Sequence, residues 1–194
     1  LVALSGAAFA ETPVSAVTDL NVRAGPGPQY PVIGVLAAGQ SATLTGCLEN
    51  SKWCTIAEAN GPAWVYSDYV VADLGGSRVI VSQRPADVDI AIVEAPPPPE
   101  GFVSIDDQVT SSISAGPVED TTYVPIDPPA EVRTYITRRP AEPVYLDGEV
   151  VRGATLPDTV VLQSIPDYDY DYVYVNGQPV LVEPQSRRIV YIER

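Results

Sequence analysis

No histidine occurs among the 194 residues and Lys52 is the single lysine, so the side chains that most often move protons near neutral pH are scarce. A Ser-His-Asp or Cys-His arrangement cannot be assembled from this set. Paired carboxylates could still serve glycoside chemistry, which needs two of them about 5 to 9.5 Å apart in a walled cleft. A large group of the acids lies elsewhere: residues 85–132 hold ten of the 25 (Asp87, Asp89, Glu94, Glu100, Asp106, Asp107, Glu119, Asp120, Asp127 and Glu131) and no Lys or Arg. Asp167-Tyr168-Asp169-Tyr170-Asp171 alternates carboxylates as a calcium loop does, yet Tyr172 and Gln178 stand where an EF loop needs Gly and Glu. The period of two fits a strand with Tyr168, Tyr170, Tyr172 and Tyr174 on one face and the aspartates on the other. That tyrosine face would cover a thin core or offer a platform to carbohydrate or protein. The chain therefore reads as non-enzymatic, with no catalytic residue, metal site or cofactor expected.

The remaining reactive pair is Cys47 and Cys54. A two-residue turn at Asn50-Ser51 would set Glu49 opposite Lys52 and Cys47 opposite Cys54 on antiparallel strands, where a disulfide can form. Closing so short a loop stabilises a small domain by about 2.5 kcal/mol in the chain-entropy account. Zinc would want four ligands, and no His or third Cys is present to supply them.

A structural disulfide implies an oxidising compartment. The run Leu1 to Ala10 agrees: it is apolar and small-residue rich, and ends Ala8-Phe9-Ala10 before Glu11. This is the end of a signal-peptide h-region with its cleavage pattern, so cleavage is expected near Ala10/Glu11, with an initiator and charged n-region preceding Leu1. No other segment approaches the ~20 apolar residues of a membrane helix. The expected location is the periplasm or the exterior. A net charge of −14 argues against nucleic acid and anionic lipid as partners.

Stepping along the chain, residues 17–73 alternate short β-runs with turn signals: Val17 to Val22, Val32 to Leu36, Ala42 to Leu48, Trp53 to Ala57 and Ala63 to Tyr66. Gly25-Pro26-Gly27-Pro28 cannot sit in a ladder and forms a long first loop. From Gly75 the pattern weakens, and Pro96 to Pro99 marks an extended spacer, with one short helix possible near residues 105–114. Asp127 before Pro128-Pro129 predicts an N-cap and a helix over 129–138, with Val132, Tyr135 and Ile136 on one face. Asn176-Gly177 predicts a type I′ hairpin pairing Val173 with Val180. Val144 to Val151, Thr159 to Leu162 and Arg188 to Ile192 would complete a small sheet.

The residues Leu20-Asn21-Val22-Arg23-Ala24-Gly25-Pro26-Gly27, with Gly46-Cys47, Trp53-Cys54, Ala63-Trp64-Val65-Tyr66 and Tyr69-Val70, resemble the bacterial SH3 family. The resemblance implies a small β-barrel over 15–73 that binds peptide or glycan of the cell wall in a shallow groove beside the first loop. Tyr30, Trp53 and Tyr66 are the candidate ligand-binding residues, while Asn21 and Arg23 are expected to fix the loop. Leu156-Pro157-Asp158, Ile165-Pro166-Asp167, Tyr174 to Gly177, Val180 to Pro184 and Arg187 to Tyr191 resemble a family of exported domains of unknown function, numbered 1236.

The sequence thus predicts a mainly β protein in four parts. These are a signal remnant (1–10), an SH3-like barrel (15–73), a disordered acidic Pro-rich linker (74–128) and a small α+β domain with an antiparallel hairpin (129–194). The expected function is noncovalent recognition of peptidoglycan or another envelope component. The alternative is an envelope assembly protein that binds another protein through the C-terminal domain.

Overall fold

The computed structural model describes residues 11–97, 109, 111–114 and 124–194. The expected signal remnant and most of the possible helix over 105–114 lie outside these residues; where that segment is described, at 111–114, it makes isolated β-bridges instead.

The N-terminal region is built from β1 (Thr12–Ala16), β2 (Leu20–Arg23), β3 (Val32–Leu36), β4 (Ser41–Leu48), β5 (Trp53–Glu58), β6 (Gly61–Tyr66), β7 (Val70–Leu74) and β8 (Ser77–Ile80). The segment expected as one strand over 17–22 bends at Val17-Thr18, and β1 pairs with β4 and β7 while β2 pairs with β3 and β6. Leu74 pairs with Ser77 across Gly75-Gly76, whose φ values of 58° and 85° suit a tight hairpin.

The barrel expectation fails here. The sheet runs β3-β2-β6-β5-β4-β1-β7-β8 and its two ends do not pair, so it stays open. The unforeseen β8 takes the side of β7 that closure would need, and β3 keeps an outer edge on which Ile33 and Val35 are exposed.

The disordered linker is likewise corrected in part. β9 (Ile92–Val93) pairs in parallel with Cys47 and Leu48 of β4, and the Cys47 N–H donates to Ala91 O at 2.8 Å. Farther on, Ile113 is buried, with Ser112 and Ser114 bridged to Asp147 and Thr155. A strand can dock beside Cys47 because Gly46 leaves room for it.

The C-terminal region consists of α1 (Ala130–Arg138) and a four-stranded antiparallel sheet of β10 (Gln163–Ser164), β11 (Asp171–Val175), β12 (Gln178–Val182) and β13 (Ile189–Ile192). The helix forms where its apolar spacing placed it, but Pro129 holds the N-cap position and Asp127 does not cap it. The hairpin has the expected register, Val173 opposite Val180, with Asn176 and Gly177 at φ 51° and 80°. Residues 144–151 and 159–162 are irregular and do not form the expected strands.

Strand alternation gives this sheet two buried faces. Val173, Val175, Val180 and Val182 join Leu20, Val22, Trp64 and Tyr69 in one apolar cluster spanning both regions. On the opposite face, Tyr172, Leu181 and Tyr191 pack with Ile136 of α1. The layers are therefore the N-terminal sheet, the C-terminal sheet and the helix. Each layer boundary is closed by apolar side chains.

Replacing Gly46 with Ala would place a Cβ 2.4 Å from Val93 Cγ1 and 2.8 Å from Ala91 O. A two-residue edge strand is easily released, so Gly46→Ala should free β9 while changing global stability by only about 1 kcal/mol. Amide exchange at Cys47 checks this: loss of its protection is the expected result, and unchanged protection would contradict the docking of β9.

Candidate functional site

Asn21 and Arg23 lie on β2, and every residue of that strand is buried. At 1 % exposure a guanidinium needs a counterion and a full set of acceptors, because burying an unpaired charge costs several kcal/mol. Glu149, fully buried, supplies the counterion: Arg23 Nε donates to Oε2 at 2.5 Å and Nη2 to Oε1 at 2.7 Å. The two-toothed geometry is the strong form of such a pair.

The other arm of Arg23 faces the first loop. Its Nη1 donates to Pro28 O at 2.9 Å and Tyr30 O at 2.7 Å, so the expected loop-fixing role is present. Asn21 does a different job. Its Nδ2 donates to Gln178 Oε1 at 2.7 Å and Glu149 Oε1 at 3.0 Å, both of them C-terminal residues.

Local chain geometry aims Glu149 at this point. Gly148 sits at φ 105°, a conformation that side chains resist, and turns the chain immediately before Glu149. Asn176, in the hairpin turn, donates from Nδ2 to Leu146 O and Gly148 O and accepts from Leu146 N at Oδ1. The hairpin therefore holds the 146–148 segment and, through Gln178, also reaches Asn21.

The three aromatic candidates separate. Trp53 and Tyr66 face each other across β5 and β6, with ring centroids 5.2 Å apart at 72°, and Tyr66 continues to Tyr69 at 6.3 Å. Tyr30 is apart from them. Its ring packs over Gly25, where any Cβ would fall 2.2 Å from Cδ1. All three are buried, at 5 %, 6 % and 7 % exposure for Trp53, Tyr66 and Tyr30.

A cleft of about 290 Å³ does lie beside the first loop, lined by Pro26, Gly27, Pro28, Gln29, Trp53, Val109 and Asp147. Of the aromatic candidates only Trp53 lines it. Gln29 Oε1 is screened from solvent without a hydrogen-bond partner, and Asp147 presents an exposed carboxylate from the C-terminal region. The arrangement offers an indole, an amide and a carboxylate for noncovalent contact. Among the described residues, no group of His, Cys, Asp and Glu could hold a metal ion.

Cys47 and Cys54 are joined in a disulfide, opposite each other in the expected register with Cα atoms 3.9 Å apart. Glu49 and Lys52 fall outside the strands, and Lys52 pairs with Asp68 at 2.8 Å.

The tyrosine stripe does not begin where the alternation placed it. Asp167 adopts φ 57° in a turn and the strand starts only at Asp171. Tyr168, Tyr170 and Tyr174 pack half-buried around the helix cluster, while Tyr172 is buried within it. The Tyr172 and Tyr174 hydroxyls donate to Arg139 O and Ile136 O at the helix C-terminus, where carbonyls lack helical partners. This face holds α1 in place.

Sequence reasoning missed Glu149, Gln178 and Asp147. The available signal was a pair of carboxylates, Asp147 and Glu149, flanking Gly148 inside the otherwise apolar stretch from Val144 to Val151.

Comparison with known proteins gives two family matches. Residues 18–71 match the family described as bacterial SH3 domain, and residues 135–194 match the domain of unknown function DUF1236. The chain carries a bacterial SH3 domain followed by a DUF1236 domain. Over 73 residues it is 36 % identical to YrvJ of Bacillus subtilis (strain 168), provisionally named an N-acetylmuramoyl-L-alanine amidase. The match covers 38 % of this chain and 13 % of that relative. No solved structure matches the chain. Asn21 and Arg23, which carried the SH3 resemblance, are thus the residues that grip the DUF1236 domain.

Removing the carboxylate should leave Arg23 as an uncompensated buried charge. Glu149→Ala is expected to lower stability by about 3–5 kcal/mol, read as a fall in the urea midpoint. A loss below about 1 kcal/mol would show that the pair is weakly coupled to the fold. Burial, reinforced by Asp147, Asp68 and Glu149 around Tyr66 and by Asp68 and Glu149 around Tyr69, raises both phenols above their ordinary 10.0. The unfolded chain then releases these protons first, so stability is complete below pH 10 and declines as pH rises above it. Tyrosinate absorbance should show a late class that ionises together with unfolding, and simple ionisation of every tyrosine near pH 10 would contradict their burial.

Proposed function

We propose that the protein is a non-enzymatic, exported binding protein that recognises peptidoglycan, or a chemically similar envelope component, at the cleft beside the first loop of its SH3 domain. The observation that carries this reading is the cleft itself, where Trp53, Gln29 and the exposed carboxylate of Asp147 converge. A peptide ammonium can pair with the exposed Asp147 carboxylate, while a sugar or an apolar side chain packs at the edge of the indole. A muropeptide combines those groups in one ligand. The similarity to a relative named as an N-acetylmuramoyl-L-alanine amidase supports the same substrate class.

Export is supported by the signal-like run Leu1 to Ala10 and by the disulfide, since such bonds persist in oxidising compartments. The absence of His favours binding over turnover. The rival, an assembly protein using its C-terminal tyrosines, is less favoured because these side chains already hold the helix.

Cosedimentation of the full chain with purified cell-wall sacculi tests the proposal. The wild type should be retained, and Asp147→Asn should weaken retention about fivefold, the size of one lost hydrogen bond. Wild-type protein that stays in the supernatant would reject wall binding. Crosslinking in intact cells to one protein without glycan would favour the assembly reading instead.

A further inference from the structure

We infer that the DUF1236 domain acts as a clamp on the SH3 loop that walls the cleft, with Glu149 as the positioning residue acting through Arg23. Use of that loop for binding rests on the function proposed above; the clamp rests on geometry alone.

The loop from Ala24 to Tyr30 is poor in bonds of its own. Ala24 N donates to Pro31 O, Gly27 N to Gly25 O and Tyr30 N to Gly27 O, and Gly25 to Pro28 offer neither side-chain donors nor a regular ladder. Its far limb is held by Arg23 Nη1 on the carbonyls of Pro28 and Tyr30. A guanidinium is planar, so fixing one edge fixes the other. Glu149 grips the Nε and Nη2 edge and thereby sets the direction in which Nη1 points.

Docking also completes the cleft. Asp147 stands two residues before Glu149, on the segment that Asn176 secures. One event therefore shapes the loop and brings the opposite wall. The SH3 domain's Asn21 and Arg23 serve as a carboxylate receptor filled from within the same chain. This gives the second domain a role: it determines whether the first presents a formed site.

Amide hydrogen exchange on the full-length chain tests the clamp, using the wild type, Glu149→Gln and Arg23→Lys. Glu149→Gln keeps the side-chain shape but loses the ion pair. Arg23→Lys keeps both charges and serves as a second variant, but it cannot fork to the loop carbonyls. Exchange at Ala24 and Tyr30 should rise at least tenfold in either folded variant, with the Val173 and Val180 hairpin unchanged. Retention on sacculi should fall in parallel, although Glu149 is fully buried and cannot touch a ligand. Unchanged loop exchange would overturn the clamp. So would an equal rise throughout the chain, which would make Glu149 a general core residue. A wild type not retained by sacculi, combined with a loosened loop in the variants, would remove the binding proposal and uphold the clamp.

Discussion

A guanidinium and a carboxylate, both withdrawn from water, meet where the two domains join, and the arrangement of the molecule follows from what they require. Desolvating Arg23 and Glu149 is unfavourable unless each finds its partner and its remaining hydrogen bonds. Glu149 meets that condition with Arg23, Asn21 and the Val150 N–H; Arg23 meets it with Glu149 and two loop carbonyls. Apolar contact alone would tolerate sliding between the sheets. The charged pair has one satisfactory geometry, so it specifies the docking.

Burial around the pair makes that docking energetically reasonable. The valine face of the C-terminal sheet covers the N-terminal core, and the tyrosine and leucine face covers the helix, so one thin sheet serves two apolar layers. A four-stranded sheet with a single nine-residue helix has little core of its own. Its stability comes in part from the domain it sits on. The open N-terminal sheet gains in the same way, because residues a closed barrel would shield internally are shielded here by its neighbour.

Local chemistry was readable in the chain; contacts between distant segments were not. Asn176-Gly177 specifies its hairpin because both positions need positive φ, and the turn around Asn50 sets the cysteine register by the same logic. Gly75-Gly76 carries an equivalent signal for β8, the strand that leaves the sheet open where the SH3 resemblance implies a barrel. Val132, Tyr135 and Ile136 placed the helix through its periodicity, though Pro129, and not Asp127, occupies the cap. The grip of Glu149 on Arg23 spans 126 residues and leaves no local periodicity. Tyr30, Trp53 and Tyr66 are candidate ligand contacts on the SH3 resemblance, because aromatic residues at a groove and in a core look alike in sequence. All three are buried, and of them Trp53 alone lines the cleft.

Whether the two domains behave as one folded unit is the central claim, and equilibrium unfolding with two independent probes tests it most directly. Both tryptophans, Trp53 and Trp64, report on the SH3 domain, while NMR signals of Val173 and Val180 report on the C-terminal hairpin. In urea the two probes should give coincident transitions with one midpoint, as expected when a shared core and a buried ion pair are lost together. Two separated transitions, with the hairpin melting while the tryptophans remain native, would show domains that merely touch and would contradict the account.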